Sequence, residues 1–309
     1  MSPQLSECPS EIRAALTGPW PTIRTPFTRE GDIDRMSLCH HIDFMISGGA
    51  KAIVLTWGDS LYSVLTDDEV AEVTKLVVEH VRGRAVVVAA DHIWWTGKCV
   101  QFAEYCAGIG ADMLMVLPPD WGASTTVESL VAHYGAVAEH IPVMVVTNYL
   151  AQRPQAFGLE VIQALYDSVP GIVALKNDVR GEFFRRVCLM TRDRWCLSSG
   201  GQKQNHMDVV PYGVHGFLSC YLTFKPEIAW RYWNAIQSHD LAAAVEVIRD
   251  YDMPFFDYIL PCEGGFNAAM YAVFEIYGLT KRYRRPPYHT FTDRQMEELT
   301  NFLRRTGFL

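Results

Sequence analysis

Residues 85–117, AVVVAADHIWWTGKCVQFAEYCAGIGADMLMVL, contain one complete structural repeat of this chain. A β-branched run from Ala85 to Ala90 is followed by a helical pattern from Thr96 to Ile109 and by a second apolar run, Met113 to Leu117. Gly110 is placed to end the helix, because glycine readily adopts the left-handed conformation that follows helix C-termini. A strand, a helix and a strand within about 30 residues are typical of a parallel βαβ unit.

The same alternation continues in both directions, with eight short apolar runs at intervals of about 30 residues. Eight parallel strands, each followed by a helix, close into a barrel, and no GxGxxG of a doubly wound sheet follows the first strand. From Pro226 onward the pattern is helical only, in about 226–236, 240–255, 264–277 and 291–306. The predicted strands are Pro21 to Phe27, Ala52 to Trp57, Ala85 to Ala90, Met113 to Leu117, Val143 to Val146, Gly171 to Leu175, Trp195 to Leu197 and Gly216 to Cys220.

We therefore predict an α/β protein, a (β/α)8 TIM barrel with a C-terminal helical extension. An N-terminal segment covers residues 1–17 and the barrel core residues 18–225. Residues 226–309 supply the eighth barrel helix and a C-terminal helical region.

The composition excludes several classes of protein. Hydrophobic residues make up 49% of the 309 residues and charged residues 20%, which excludes a disordered chain and favours a sizeable core. The formal net charge is −8 and the dense basic cluster is confined to residues 281–285, so we expect no nucleic-acid partner. No run reaches the roughly 18 apolar residues of a membrane span, so we expect no membrane association.

The cysteines and the N-terminus predict a location. Eight cysteines are scattered without a CxxC pair, as is typical of reduced thiols in a core rather than of disulfides or a metal site. Residues 1–17 lack the apolar core of a secretory signal. We expect a cytoplasmic protein that holds no metal.

Lys176 is the first candidate for chemistry. Active sites of (β/α)8 barrels lie at the C-terminal ends of the strands, and Lys176 ends the apolar run that starts at Gly171. A lysine amine there can attack a carbonyl carbon and form a Schiff base. The alternative is a lysine that packs its stem at the strand end and pairs its ammonium with Asp178.

A series of short motifs occurs in order along the chain. They are Thr25–Phe27 with Gly31–Asp34, Leu65–Glu69, Gly110–Asp112 with Pro118–Pro119, Ile141–Val143, Gly171–Lys176, Ser199–Gly200 and Gly213–Ser219. The series runs from about residue 19 to Gly307, and it resembles the dihydrodipicolinate synthase/N-acetylneuraminate lyase family. The matching family motifs read TPF…G…D, LTxxE, GAD…PP, GIxxxK, SG and GxxGxIS, and Ile141–Val143 matches the entry to the family's fifth strand.

The resemblance implies class I chemistry without a cofactor. A 2-oxo acid, such as pyruvate or a 2-oxo sugar-acid derivative, would condense with Lys176, and the protonated imine would accept electrons while a carbon–carbon bond forms or breaks, or while water leaves. The resemblance also implies a homo-oligomer, a dimer or a tetramer. Ser219, in the matching GxxGxIS segment, is expected to contact the substrate.

The loop after the second strand departs from the family pattern. Where the family reads GTTGE and binds the substrate carboxylate, this chain reads Trp57–Leu61, which places Gly58 and Asp59 at the two threonines. A carboxylate at Asp59 would repel a substrate carboxylate unless it is protonated or paired with a cation. We expect Gly58, Asp59 and Ser60 to contact the substrate in a changed manner.

The proton relay departs as well. The family's catalytic tyrosine on the fifth strand falls on Val146, which can do no acid–base work. Tyr149 lies three residues later and either replaces that tyrosine or packs in the loop. Trp121 stands where the family has a second tyrosine that reaches across the subunit interface, and an indole can only donate. Trp121 is expected to contact the substrate.

Two further polar residues are candidates. The family's carboxylate-binding arginine falls on Gln152, and the adjacent Arg153 is expected to take its role. His92 leaves the third strand after Asp91, which could orient it for acid–base catalysis near neutral pH. The alternative is a histidine that caps the next helix or bonds to backbone.

We predict a class I lyase or aldolase that acts on a 2-oxo acid through Lys176, with Tyr149 and His92 as further catalytic residues. It is not expected to be an authentic dihydrodipicolinate synthase, since the relay and the carboxylate loop are both changed. The alternatives are a dehydratase, deaminase or decarboxylase that uses the same lysine, a barrel that binds a 2-oxo acid without turnover, and a structural barrel. Aromatic residues near the predicted mouth suggest an apolar co-substrate; they are Trp57, Tyr62, Trp94, Trp95, Trp121 and Tyr149.

Overall fold

The computed structural model describes residues 7–148, 150 and 153–309. Its strands are β1 (Gly18–Trp20), β2 (Ala52–Val54), β3 (Val86–Ala90), β4 (Met113–Val116), β5 (Val143–Val146), β6 (Ile172–Asn177), β7 (Cys196–Ser199) and β8 (Gly216–Leu218). All are parallel, in the order β1-β8-β7-β6-β5-β4-β3-β2. A parallel bridge between Thr22 and Val54 brings β1 and β2 together, so the sheet forms a nearly closed barrel. The predicted TIM barrel is confirmed.

The predicted first strand, Pro21 to Phe27, is wrong. β1 lies just before it, and Gly18 is opposite Gly216 of β8. Pro21 and Pro26 have no N–H to donate, so a ladder cannot continue through this apolar run. The segment instead makes two single bridges, one from Thr22 to Val54 and one from Phe27 to Ile33.

Helices alternate with the strands, and successive helices pack against each other around the barrel, from the helix at Arg35–Ser47 to the helix at Glu182–Thr191. One predicted helix boundary is confirmed, because left-handed Gly110 ends the helix that starts at Thr96. Thr66 and Glu69 form a reciprocal capping box at the start of the helix that begins at Asp67. The helices up to the eighth strand are α1 (Ser10–Leu16), α2 (Arg35–Ser47), α3 (Asp67–Val81), α4 (Thr96–Ile109), α5 (Val127–Ala138), α6 (Gln155–Ser168), α7 (Glu182–Thr191) and α8 (Lys203–Met207).

After β8 the chain is helical, as predicted. The helix that starts at Leu241 continues through one π-helical turn, Ile248–Asp252. Pro254 follows this turn and lacks the N–H group that an α-helix would use. These helices form a second apolar cluster beside the barrel core. The division of the chain after residues 17 and 225 stays a prediction. The helices are α9 (Pro226–Gln237), α10 (Leu241–Val247), α11 (Met253–Ile259), α12 (Gly265–Ile276) and α13 (Asp293–Arg305).

Among the helices of the described ranges, none combines the length and the apolar character that crossing a membrane would require.

Candidate active site

A cavity of about 570 Å³ opens at the C-terminal ends of the barrel strands. Residues from the ends of β4, β5, β6 and β8 line it, together with the loops that follow β2, β6 and β7 and with side chains of the C-terminal helices. The location agrees with the position of active sites in (β/α)8 barrels. The charged residues in its lining are Asp59, Lys176, Asp178 and Arg180.

Lys176 lies near the end of β6, between Val146 of β5 and Ser198 of β7. The residue is only 8% exposed, and what is exposed faces the cavity. Its Nζ donates a hydrogen bond to Oδ2 of Asp178 at 2.5 Å. Lys176 therefore lines the cavity, as the catalytic hypothesis requires, and its amine is also paired with Asp178, as the alternative expects.

Asp59 also lines the cavity, and a buried arginine, Arg24, compensates its charge. The guanidinium of Arg24 donates to Oδ1 at 3.2 Å, and the hydroxyl of Thr22 donates to Oδ2 at 2.7 Å. The Arg24 side chain is 0% exposed, and its Nε donates to Asn267 of α12. The pairing meets the condition under which a carboxylate is tolerated beside a substrate anion.

Sequence reasoning missed Arg24. The available signal was a guanidinium within the apolar run Pro21 to Phe27, since a charge in such a run is seldom buried without a partner. The partner could not be identified from the sequence, because Asp59 follows a different strand.

Gly58 and Ser60 differ in position although they are close in sequence. Gly58 lines the cavity, and the space beside its Cα is open. Ser60 is fully buried and does not belong to the lining. Its hydroxyl donates to the carbonyl of Ile23 at 2.8 Å and accepts from the N–H of Thr56 at 3.0 Å. Ser60 thus fixes the loop, and its predicted substrate contact finds no support in the geometry.

The loops after β4 and β5 place Trp121 and Arg153 outside the cavity lining. Trp121 is 93% exposed and lies in a short 3-10 turn. Arg153 pairs with Asp120 at 2.8 Å and stacks on the ring of Phe157. Neither Trp121 nor Arg153 lines the cavity in this chain. Tyr149 lies outside the described residues.

His92 faces a helix N-terminus instead of the cavity lining. Its Nδ1 lies 3.2 Å from Oδ1 of Asp67, the first residue of α3. Asp91 does not orient it: this fully buried carboxylate accepts the N–H groups of Ile93 at 2.9 Å and Leu117 at 3.0 Å. Burial raises the pKa of Asp91 to about 7, although these N–H groups oppose the shift. The geometry therefore favours a structural role for His92, although its partner is Asp67 of the preceding helix and not the next helix or backbone.

Ser219 is nearly inaccessible and does not belong to the cavity lining, although Leu218 and Cys220 on either side of it do. Its N–H donates to the carbonyl of Trp20, and its hydroxyl has no hydrogen-bond partner among the described residues. Burial raises the pKa of the Cys220 thiol to about 12, so this thiol stays protonated at neutral pH. The strand end therefore contributes an apolar surface to the cavity.

One side of the cavity is an apolar wall formed by Phe256, Leu260 and Phe266. These residues belong to α11, to the turn after it and to α12. Of the aromatic residues named from the sequence, Trp57 lines the cavity and Trp95 is exposed. The apolar wall was not predicted, because nothing local in a helical pattern shows which neighbour its apolar face meets.

Known proteins resemble this chain over nearly all of its length. The model of the Dihydrodipicolinate synthetase family matches residues 15–306. A 4-hydroxy-tetrahydrodipicolinate synthase of Dechloromonas aromatica is 27% identical over 95% of this chain and 99% of its own. A Bradyrhizobium diazoefficiens protein named "Probable 5-dehydro-4-deoxyglucarate dehydratase" is 24% identical over 91% of this chain and 89% of its own. The N-acetylneuraminate lyase of Mycoplasma synoviae shares the fold, with a TM-score of 0.81 at 18% identity over 96% of this chain and 99% of that chain.

Proposed function

This chain belongs to the Dihydrodipicolinate synthetase family, and from that premise we propose that it is a class I lyase or aldolase acting on a 2-oxo acid through Lys176. The observation that carries the proposal is the placement of the Lys176 amine in the lining of the cavity at the C-terminal end of β6. The amine would attack the carbonyl carbon of the 2-oxo acid, and water would leave. The protonated imine would then draw electrons from the neighbouring carbon–carbon bond.

The substrate of an authentic dihydrodipicolinate synthase is not proposed for this chain. Val146 occupies the place where the resemblance expects a catalytic tyrosine, and Leu61 stands where it expects a glutamate. Asp59 faces the cavity with its charge compensated by Arg24, which suits a substrate hydroxyl as hydrogen-bond donor. The apolar wall favours an apolar group on the second substrate.

A second candidate function is a 2-oxo-acid dehydratase that uses the same lysine. It is favoured by the likeness to the Bradyrhizobium protein, whose name is that of a dehydratase. A carboxylate such as Asp59 beside a substrate hydroxyl also suits the loss of water. The two candidates differ in their products, because an aldolase splits its substrate into a 2-oxo acid and an aldehyde, whereas a dehydratase releases water together with the dehydrated acid.

We further propose a homo-oligomer, a dimer or tetramer, in the cytoplasm. The exposed Trp121, at a position where the resemblance expects an interface residue, supports the first. The eight free cysteines support the second.

Borohydride trapping tests the proposal. Pyruvate and a panel of other 2-oxo acids are added with borohydride, and the adduct is located by intact mass and peptide mapping. We expect an adduct on Lys176 that is absent in Lys176→Ala and present in Lys51→Ala, which removes an exposed lysine far from the cavity. If none of the acids gives an adduct at neutral or mildly alkaline pH, the Schiff base is refuted, and a binding or structural barrel becomes the better description.

A further inference from the structure

We propose that Asp178 is a catalytic residue, the acid–base group that moves the protons while Lys176 forms its Schiff base. The inference rests on the proposed Schiff base and assigns to this site the proton relay that Val146 cannot supply. It starts from the ion pair between the two side chains, both of which line the cavity at the end of β6.

Few other described residues in the lining can exchange a proton. Asp59 is occupied by Arg24 and Thr22. The Cys220 thiol is kept protonated by burial, which raises its pKa to about 12. Arg180 carries a guanidinium, which is not deprotonated in proteins. Among these charged and thiol-bearing lining residues, Asp178 is therefore the one that both touches the reacting nitrogen and can accept and return a proton.

The fold makes room for this carboxylate. A Cβ atom on Gly200 would lie 1.7 Å from Oδ1 of Asp178, so the carboxylate occupies the space that any other residue at position 200 would fill. The N–H of Gly200 donates to the carbonyl of Asn177 at 2.8 Å, which fixes the β7 loop against the end of β6. The position of the Asp178 carboxylate thus depends on Gly200, in the loop that follows β7.

The backbone of Asp178 is fixed on its other side by Thr147. The Thr147 hydroxyl donates to the side-chain oxygen of Asn177 at 2.8 Å and accepts the N–H of Asp178 at 3.3 Å. Groups that act in catalysis are usually held in place in this way by their neighbours, which lowers the cost of reaching the reactive geometry. A solvent-exposed ion pair would need neither constraint.

The pair holds all the protons that imine formation requires. Asp178 takes one proton from the Lys176 ammonium, and the neutral amine attacks the carbonyl carbon, so that a carbon–nitrogen bond forms and the π electrons move to oxygen. Asp178 gives its proton to this oxyanion, takes a second proton from nitrogen and passes it to the hydroxyl, which leaves as water while the nitrogen lone pair completes the imine. Ammonium and ketone become protonated imine and water, and Asp178 ends as a carboxylate.

The test measures the rate of Lys176 labelling by pyruvate and cyanoborohydride at saturating pyruvate, in the full chain. Asp178→Asn preserves the shape and removes the proton transfer, so we expect the rate of imine formation to fall about 100-fold or more, with Lys176 still labelled at long times. Asp178→Ala is expected to be equally slow and to regain rate when formate is added. Asp193→Asn, which changes an exposed carboxylate, is the matched control and is expected to keep the wild-type rate.

A passive ion-pair partner predicts the opposite result. Loss of the carboxylate would then favour the neutral amine, and imine formation in Asp178→Asn would be as fast as in the wild type or faster. That outcome, in a variant with unchanged circular dichroism, would overturn the assignment. Gly200→Ala gives a second measurement, since it keeps the carboxylate but displaces it, and a wild-type rate in this variant would equally count against the proposal. A wild-type protein that never labels would instead refute the Schiff base itself.

Discussion

Replacing Asp91 by asparagine is expected to remove a pH-dependent part of the stability of this barrel. The carboxylate is fully buried at the end of β3 and accepts hydrogen bonds from two backbone N–H groups. Burial raises its pKa to about 7, whereas the carboxyl of an unfolded chain titrates near its ordinary value of about 3.9. The folded state therefore holds a proton on Asp91 over a pH range in which the unfolded state has lost it.

The sign and size follow from this difference. Because the pKa of the folded state is the higher one, the stabilisation is fully present below about pH 4 and is lost as the pH rises through about 7. Each pH unit inside this window changes the free energy of unfolding by about 1.4 kcal/mol. Between pH 5 and pH 8 the contribution of Asp91 should thus fall by roughly 3 kcal/mol.

Urea unfolding of the wild type and of Asp91→Asn, followed by circular dichroism at pH 5 and at pH 8, measures this change. Burial lowers the pKa of four histidines to about 4 or 3, and these groups give the opposite slope in both proteins, so only the difference between the two proteins isolates Asp91. Asparagine leaves one backbone N–H without its acceptor at either pH, which adds a constant offset. A wild-type-minus-variant difference that changes by less than about 0.5 kcal/mol between the two pH values would refute the reasoning. The four histidines are His41, His133, His206 and His215.

Two further predictions concern stability. Asp252 accepts hydrogen bonds from the Nζ of Lys203 at 3.0 Å and from its N–H at 2.9 Å, with both side chains only 2% exposed. Asp252→Asn is therefore expected to lower the free energy of unfolding by about 3 to 5 kcal/mol in urea titrations, whereas Asp250→Asn, which alters an exposed pair in the same turn, should have no measurable effect. A Cβ atom on Gly216 would lie 2.0 Å from a backbone oxygen of the segment before β1, so Gly216→Ala should prevent β8 from pairing and lower the melting temperature by several degrees or abolish folding. A Cβ atom on Gly108, in α4, would have no neighbouring atom within 4 Å, so Gly108→Ala should leave the melting temperature unchanged or raise it. Thermal denaturation of both variants measures the difference, and equal effects of the two substitutions would contradict the packing argument.

The sequence was sufficient for features that depend on local pattern. The helix end at Gly110 and the strand that carries Lys176 are both set by residues a few positions apart, and both lie where the sequence predicts them. The first strand lies before the predicted run Pro21 to Phe27, because two prolines without N–H groups interrupt the ladder there in spite of the apolar side chains. The place of His92 after a strand suggests a catalytic role, but the left-handed backbone of Ile93 redirects the chain at this point. The direction that the chain takes after a strand end depends on such backbone turns, which the type of side chain does not indicate.

Features that join distant segments could not be predicted. The pairing of Arg24 with Asp59 links the segment after β1 to the loop after β2. The fit of the Asp178 carboxylate against Gly200 depends on the register between β6 and β7. A single sequence contains both partners of each contact but does not indicate that they meet.

The apolar wall of Phe256, Leu260 and Phe266 comes from helices that follow the barrel, whereas the proposed nucleophile, Lys176, comes from β6. The proposed function therefore assigns reactivity and selectivity to different stretches of the gene. Substitutions confined to residues 253–266 can alter which second substrate is accepted while the lysine and its neighbours remain untouched. A lineage, or an engineered library, that varies only this stretch would explore new substrates without first losing the chemistry that acts on them.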